Sequence, residues 1–372
     1  MSKRWIGVTV TATVAVVLVA TALSRASASP EAPAPSAGAT ALGTEFLAPE
    51  DVAFDVSGNL YVSEFLGHKV DRIDPAGSVS VVAGTGVQGY SGGGPATEAL
   101  LNMPTGLFFR PNGDLVIADH RNHCIREIDA ASVISTIAGS CTKHGTKGDG
   151  GPAVDAKLND PIGITQDAAG NVYIADEQNA LVRRIDTSGI ITTFAGGGKT
   201  PVVGAPDGTL ATSLRLSHPS YVVVDAGGNV YFSDFLANEV LRVDLSGRIT
   251  RVAGTGAAGF SGDGGPATAA ALDFPTGLAL HHGRLYISDA NNNRVRMVDG
   301  HGIITTVAGT GPVGFDAATY GGDGGPATAA HLNAPAGLAF DAFGDLVIAD
   351  QGNNCVRLVT RTGTITLLAG TP

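Results

Sequence analysis

Six acids recur in one setting along the chain. Glu64, Asp119, Asp176, Asp234, Asp289 and Asp350 each end a short β-prone run such as Val172-Tyr-Ile-Ala175. Carboxylates gathered in one place could hold a cation, because hard divalent ions take several oxygen ligands. The same residues have a plainer use: an Asp before a turn bonds backbone N–H groups or a following Asn. Recurrence in all six copies favours the turn, since a site needs only some of them. Arg126, Arg183, Arg296 and Arg357 follow in four copies and are expected to pair with an acid inside the same unit.

Other residues with chemical potential read as structural. Gly259-Phe-Ser-Gly-Asp-Gly-Gly-Pro-Ala-Thr268 and Tyr320-Gly-Gly-Asp-Gly-Gly-Pro-Ala-Thr328 look like ion or phosphate loops. Each holds a lone acid (Asp149, Asp263, Asp323, with Gly93 in the first) where calcium needs several. No Lys-Ser/Thr follows to make a phosphate loop. A compact turn is the better reading. Cys124 and Cys141 fall at neighbouring strand ends and are expected to form a disulfide, leaving Cys355 free. No Cys/His spacing marks a structural zinc site. The histidines, among them His68, His120, His123, His218 and His331, are scattered along the chain. No cofactor is predicted, and a single Ca or Zn stays open.

The elements that carry these residues repeat. Pro49, Pro104, Pro161, Pro219, Pro275 and Pro335 open the copies, at intervals of 55, 57, 58, 56 and 60 residues. Such a period makes the chain one repeated supersecondary unit. In the third copy Ile162 to Asp167, Val172 to Ala175, Leu181 to Ile185 and Ile190 to Ala195 read as four strands, bounded by Gly, Asn and Asp turns. Four antiparallel strands in six copies predict an all-β, six-bladed β-propeller over residues 44–372. Gly170-Asn-Val-Tyr-Ile-Ala-Asp176 with Val182-Arg-Arg-Ile-Asp186, and Gly283-Arg-Leu-Tyr-Ile-Ser-Asp289 with Arg294-Val-Arg-Met-Val298, resemble NHL repeats. The glycine-rich inserts resemble those of bacterial extracellular and teneurin-type NHL propellers. The resemblance implies a propeller used mostly for binding, with a minority of enzymes. Propeller topology puts the inserts and the loops after the six acids on one face, here the top. Thr44 to Leu47 are the candidate for a clasp at the ring's closure.

Function should lie where the copies disagree. Two residues after the opening proline four copies have Gly106, Gly163, Gly277 and Gly337; copies one and four have Asp51 and Tyr221. The same two copies carry Phe65-Leu66 and Phe235-Leu236 in the top loop, and their Arg shifts by one to Arg72 and Arg242. In a six-bladed ring these copies are opposite, so Asp51 and Tyr221 are expected to face each other across the channel mouth below an apolar rim. Exposed apolar loop tips are costly unless something covers them. The predicted contacts for a protein, peptide or small ligand are Asp51, Glu64, Phe65, Leu66, His68, Tyr221, Asp234, Phe235 and Leu236. The plainer accounts are descent from a three-blade duplication or large residues filling the channel. The enzymatic alternative is a metal-dependent lyase or lactonase-like hydrolase, with Tyr221 as acid/base beside Asp51, Glu64 and His68. Against it stand the missing convergent histidines and the missing nucleophile motif.

Composition agrees with a strand-and-turn protein. Among 372 residues 52 are Gly, and charged residues make up 15%. The net charge of −11, or −14 without residues 1–28, disfavours nucleic acid or anionic lipid as a partner. Lys3 and Arg4, an apolar run from Trp5 to Leu23, and Ala26-Ser-Ala28 have the layout of a secretory signal peptide. Residues 29–43, rich in Pro and Ala, are expected to be a disordered spacer. The expectation is a secreted monomer that makes no membrane contact after cleavage.

Overall fold

The computed structural model describes residues 41–311, 314 and 319–372; the residues read as a signal peptide, and nearly all of those read as a spacer, lie outside them. Six antiparallel units follow one another, four of four strands and two in which a two-residue strand from the insert (Gly94–Pro95 or Thr209–Leu210) adds a fifth. In the third blade the strands are Pro161–Gln166, Val172–Asp176, Leu181–Ile185 and Ile191–Gly196, within a residue of the sequence expectation. The second strand lies between the first and third and is covered on both sides. Its β-branched and aromatic residues pack on both faces, and Val172, Tyr173, Ile174 and Ala175 are all buried. The first strand begins with a register slip, between Pro161 and Ile164. Proline offers no N–H to the ladder there.

The first strands of successive blades contact one another around a closed ring, Pro49–Phe54 meeting Pro335–Phe340 last. Their approach is too close for side chains at the repeated glycine. A Cβ on Gly163 would lie 2.6 Å from the Cα of Tyr221, and one on Gly277 would lie 1.9 Å from the Ala336 oxygen. Each hydrophobic cluster is shared by two blades: Val116, Ala118 and Ile125 of the second pack with Leu158, Ile164 and Ile174 of the third. A fully buried Ile or Val contributes about 1.5–3 kcal/mol, so the blades stabilise each other.

The glycine-rich inserts correct one expectation, because they are not free loops on the top face. Each lies between the outer strands of two blades. The amide of Gly139, ending the second blade, donates to the Ala153 carbonyl, and the Ala153 amide donates to Gly189, at the start of the third blade's last strand. Ala96, Ala267 and Ala327 repeat both bonds. The insert acid seats a buried arginine. Arg183 is fully buried, with its guanidinium 2.5 Å from Asp149 of the insert and 3.4 Å from Asp176. Arg296 joins Asp263 and Asp289, and Arg357 joins Asp323 and Asp350. Arg126 has Asp119 and, where the insert carries no acid, the Gly92 carbonyl. Rings from the inserts (Tyr90, Phe260, Tyr320) lie over three of these guanidiniums, an attractive cation–π placement. Blades one and four have Asp71 and Leu241 at the arginine's register, which is the structural content of their departure.

No insert joins the sixth blade to the first, and the N-terminal segment takes its place. The Gly370 amide donates to the Ala41 carbonyl at 2.9 Å, the counterpart of the Gly139–Ala153 bond. Ala41 and Phe46 are buried against Val347, Ala349, Val356 and Ala369 of the last blade. Ala41, inside the stretch read as spacer, is therefore seated against the last blade, and Phe46 in the proposed clasp is a core residue.

Candidate functional site at the mouth of the channel

The top loops follow one local plan. An acid ends the second strand, a single 3₁₀ turn follows in blades two to six, and the next residue is left-handed: φ is 58° at His123 and 53° at Asn293. Asp119 accepts the Asn102 amide at 2.8 Å and the Asn122 side chain at 2.9 Å; Asp176 does the same with Asn159 and Asn179. These acids pin the segment entering the blade, so the structural reading of the six acids holds. The left-handed residue latches the next blade. Nδ1 of His68 accepts the Met103 amide, and Asn354 Oδ1 accepts the Ala48 amide across the ring's closure.

With those positions occupied, the first residue after the acid is left to meet its neighbours around the mouth. In blade order it is Phe65, His120, Glu177, Phe235, Ala290 and Gln351. Phe65 lies 5.7 Å from the His120 ring, and Phe235 packs on His218 and Phe274. Gln351 donates to the Glu50 carboxylate. Below them Tyr221 crosses the ring: its hydroxyl donates to the Glu50 carbonyl at 2.9 Å and lies 3.4 Å from that residue's Oε1. The channel is thus spanned at this level by one phenol.

The polar side of the mouth is crowded with carboxyls. His120 and Asp160 are 4% exposed and Glu177 is 7% exposed, and one ligating atom from each lies within 4.8 Å of the others. Burial pushes the Glu177 carboxyl up to about 8, reinforced by the charge of Asp160 and opposed by Arg121. Burial pushes His120 down to about 4, so its imidazole is neutral. Glu50 is raised to about 7 by burial, opposed by the Tyr221 hydroxyl, and Asp51 to about 8 by burial, opposed by two backbone N–H groups. Arg121 offers a compensating charge, 2.6 Å from Asp160 Oδ2. Neutral imidazole beside ionisable carboxyls can ligate a metal, bind a cationic group or relay a proton.

The predicted contact residues divide. Tyr221 faces the first blade as expected, but its partner is Glu50. Asp51 turns aside and accepts the Leu107 amide of the second blade and the Val52 amide, each at 2.9 Å. Glu64 is fully buried, paired with Lys69 at 2.8 Å and accepting the Leu47 amide. Asp234 is fully buried on the Ser217 and His218 amides. His68 is the latch to Met103. Asp51, Glu64 and Asp234 are held inside the structure, and His68 is half-buried with its Nδ1 engaged. Phe65, Leu66 and Phe235 remain partly exposed and Leu236 is exposed, so the apolar rim exists, though both rings have partners. Cys124 and Cys141 are bonded, with Cα atoms 5.1 Å apart, and Cys355 is free and buried.

Glu50, Asp160, Glu177 and Gln351 were not singled out from the sequence. For Glu177 and Gln351 a signal was present, since the position after each loop acid varies from Phe to His, Glu, Ala and Gln; Glu50 and Asp160 flank opening prolines and carry no such mark. Variation beside an invariant anchor marks a side chain that the scaffold does not use.

The teneurin NHL domain matches residues 141–206 of the chain. Teneurin-4 of Mus musculus is 29% identical over 360 residues, which is 88% of this chain and 12% of the relative. The chain is therefore similar to a small part of a much longer protein. Protein SUPPRESSOR OF QUENCHING 1, chloroplastic, of Arabidopsis thaliana is 31% identical over 268 residues, or 68% of this chain and 25% of the relative. Among solved structures, virginiamycin B lyase from Staphylococcus aureus superposes with a TM-score of 0.53 at 15% identity, covering 88% of this chain and 86% of that one. At that identity the likeness speaks for the fold alone.

Proposed function

Because the chain belongs to the NHL-repeat propellers, with repeats of the kind found in teneurins, we propose that it is a secreted, non-catalytic module that binds a protein, peptide or small ligand with its top face. The observation that carries this reading is the division of labour in the top loops. The acid, the Asn and the left-handed residue hold the blades together, while the first position varies and surrounds a spanned channel. Two partly exposed Phe-Leu pairs on opposite blades supply apolar contact area, and Glu50, Glu177 and Gln351 supply polar groups between them. Secretion is supported by the leader-like residues 1–28 and by the Cys124–Cys141 bond, which persists in oxidising compartments.

The test uses the mature chain, immobilised and exposed to the extracellular and envelope fractions of the producing cells. A ligand retained by the natural protein and lost by the Phe65→Ser, Phe235→Ser double variant supports the reading, provided the variant keeps a cooperative melt. Equal retention by both removes the top face from the account. Mass analysis of the protein from culture medium checks the leader: a mature chain starting near Ser29 is expected.

A lyase or lactonase-like hydrolase acting at the same mouth is the second reading. Neutral His120 beside Asp160 and Glu177 is the arrangement that favours it.

A further inference from the structure

We propose that His120, Asp160 and Glu177 hold one divalent first-row transition-metal ion at the channel mouth, leaving its other coordination positions to water or a ligand.

The three residues occupy the three mouth-facing positions of a single junction. His120 opens the second blade's top loop, Asp160 precedes the third blade's first strand, and Glu177 opens the third blade's loop. The same positions between the fourth and fifth blades are Phe235, Phe274 and Ala290, which cannot ligate. The scaffold thus brings together whatever the three positions carry, and only here does it bring an imidazole and two carboxyls.

Each side chain is oriented and keeps one atom free. Nδ1 of His120 lies 3.2 Å from the Pro161 carbonyl, which takes its proton and leaves Nε2 with a lone pair. A metal-binding His ordinarily has its other nitrogen held by a carbonyl in this way. Oδ2 of Asp160 accepts from Arg121. Its Oδ1 is buried without a hydrogen-bond partner: His123 Nδ1, 3.1 Å away, is already accepting the Asp160 amide. Glu177 Oε1 accepts from Gln178, and no other hydrogen-bond donor among the described residues engages its carboxyl oxygens. A buried carboxylate oxygen without a donor costs free energy unless a cation meets it.

The donor set selects the ion. One imidazole nitrogen with two carboxylate oxygens suits zinc, manganese, cobalt or iron better than calcium or magnesium, which take oxygen alone. Ligands about 2.0–2.2 Å from such an ion stand no more than about 4.4 Å apart. The widest pair, at up to 4.8 Å, needs to close by only a few tenths of an ångström. Three protein ligands leave the ion open to a fourth, as in catalytic and not structural sites. This site goes beyond the binding reading and does not depend on it.

The test is titration of the full mature chain, stripped with chelator, by calorimetry with Zn2+ and by absorption with Co2+. One ion per chain, a Tm raised by several degrees with Zn2+, and a visible Co2+ ligand-field band are expected. Equal millimolar Ca2+ or Mg2+ should do neither. The near-isosteric Glu177→Gln and Asp160→Asn variants should each weaken Zn2+ binding at least tenfold, as His120→Ala should, while replacing the exposed His301 by Ala should not. Where a variant fails to fold, the Co2+ spectrum and melt of the natural chain decide. No stoichiometric Zn2+ uptake, uptake unchanged by Glu177→Gln, or an equal response to Ca2+ would overturn the proposal. Failure to take up Zn2+ by a chain whose top face still captures a ligand would reject this site and leave the binding reading standing.

Discussion

The hydroxyl of Tyr221, on the innermost strand of the fourth blade, donates to the carbonyl oxygen of Glu50, 2.9 Å away on the first. One side chain thereby ties together two blades that are not neighbours in the ring. Tyr221→Phe should lose that single bond, about 1 kcal/mol. Tyr221→Ala also empties the volume the ring fills and should cost about 3–5 kcal/mol. Urea unfolding of both variants checks the ordering; equal losses would mean that the ring's volume, and not its reach, is immaterial.

Arg183 is the buried link between the third blade and its insert, with Asp176 on one side and Asp149 on the other. Removing the cation alone leaves Asp176 charged and fully enclosed. Arg183→Met should therefore cost about 3–5 kcal/mol, and the Arg183→Met, Asp176→Asn double variant should recover part of it. A double variant no more stable than the single would show that the pair is not coupled.

The Cys124–Cys141 bond fastens the start of a third strand to the segment leaving the fourth. Cys141→Ser should lower stability by about 2–4 kcal/mol. Thiol titration of the native protein should find nothing that reacts promptly, since Cys355 is buried and its pKa is raised by that burial. Denatured without reductant, the chain should show one thiol; three would dismiss the bridge.

Stability should fall as pH rises from mildly acidic to mildly basic. Burial raises Asp51 to about 8, Glu50 to about 7 and the loop acids Asp119, Asp176, Asp234, Asp289 and Asp350 to about 6. Unfolded carboxyls titrate near 4, so between about pH 4 and pH 8 the native chain holds more protons than the unfolded one and ionisation favours unfolding. The turn acids Asp55, Asp167 and Asp225 act oppositely: the burial that would raise them is outweighed by hydrogen bonds from Asn59, Asn171 and Asn229, and their contribution is lost only below that range. At constant ionic strength the Tm should be higher at about pH 5 than at about pH 8. A Tm that is level or rises across this interval contradicts the assignment of these groups.

Much of the scaffold could be read before any coordinates. The opening prolines mark the blades, Val172-Tyr-Ile-Ala175 is a buried strand, and the acids after it are structural. The bonds that make them so go to residues about seventeen positions earlier, such as Asp119 to Asn102, which is why the local turn was only half the answer. The paired departure of Asp51 and Tyr221 pointed to the right blades and the wrong partner. The phenol reaches the backbone carbonyl of Glu50, while the Asp51 carboxyl is engaged by the Leu107 and Val52 amides.

Asp51 and His68 show why the site itself was less legible. Both are polar, lie near the mouth and belong to divergent copies, so residue type alone assigns them to a ligand. Packing assigns them to neighbouring blades, because a buried amide at Leu107 or Met103 must find an acceptor and these side chains are the ones within reach. Glu177 and Asp160, by contrast, sit seventeen residues apart in one copy, in an unremarked Asn-Asp-Pro and Asp-Glu-Gln.

By itself, the sequence determined the number of blades, the strands within each, the disulfide and the places where copies differ. Those follow from periodicity and local turn chemistry, which act over a few residues. The tertiary structure alone decided which divergent side chains meet. It turned Ala41 into the last staple of the ring, made insert acids the seats of buried arginines, and set His120 beside Asp160 and Glu177. Contacts across blade junctions depend on the angle at which whole blades pack, and that angle comes from the sum of many buried surfaces and is not written in any one segment.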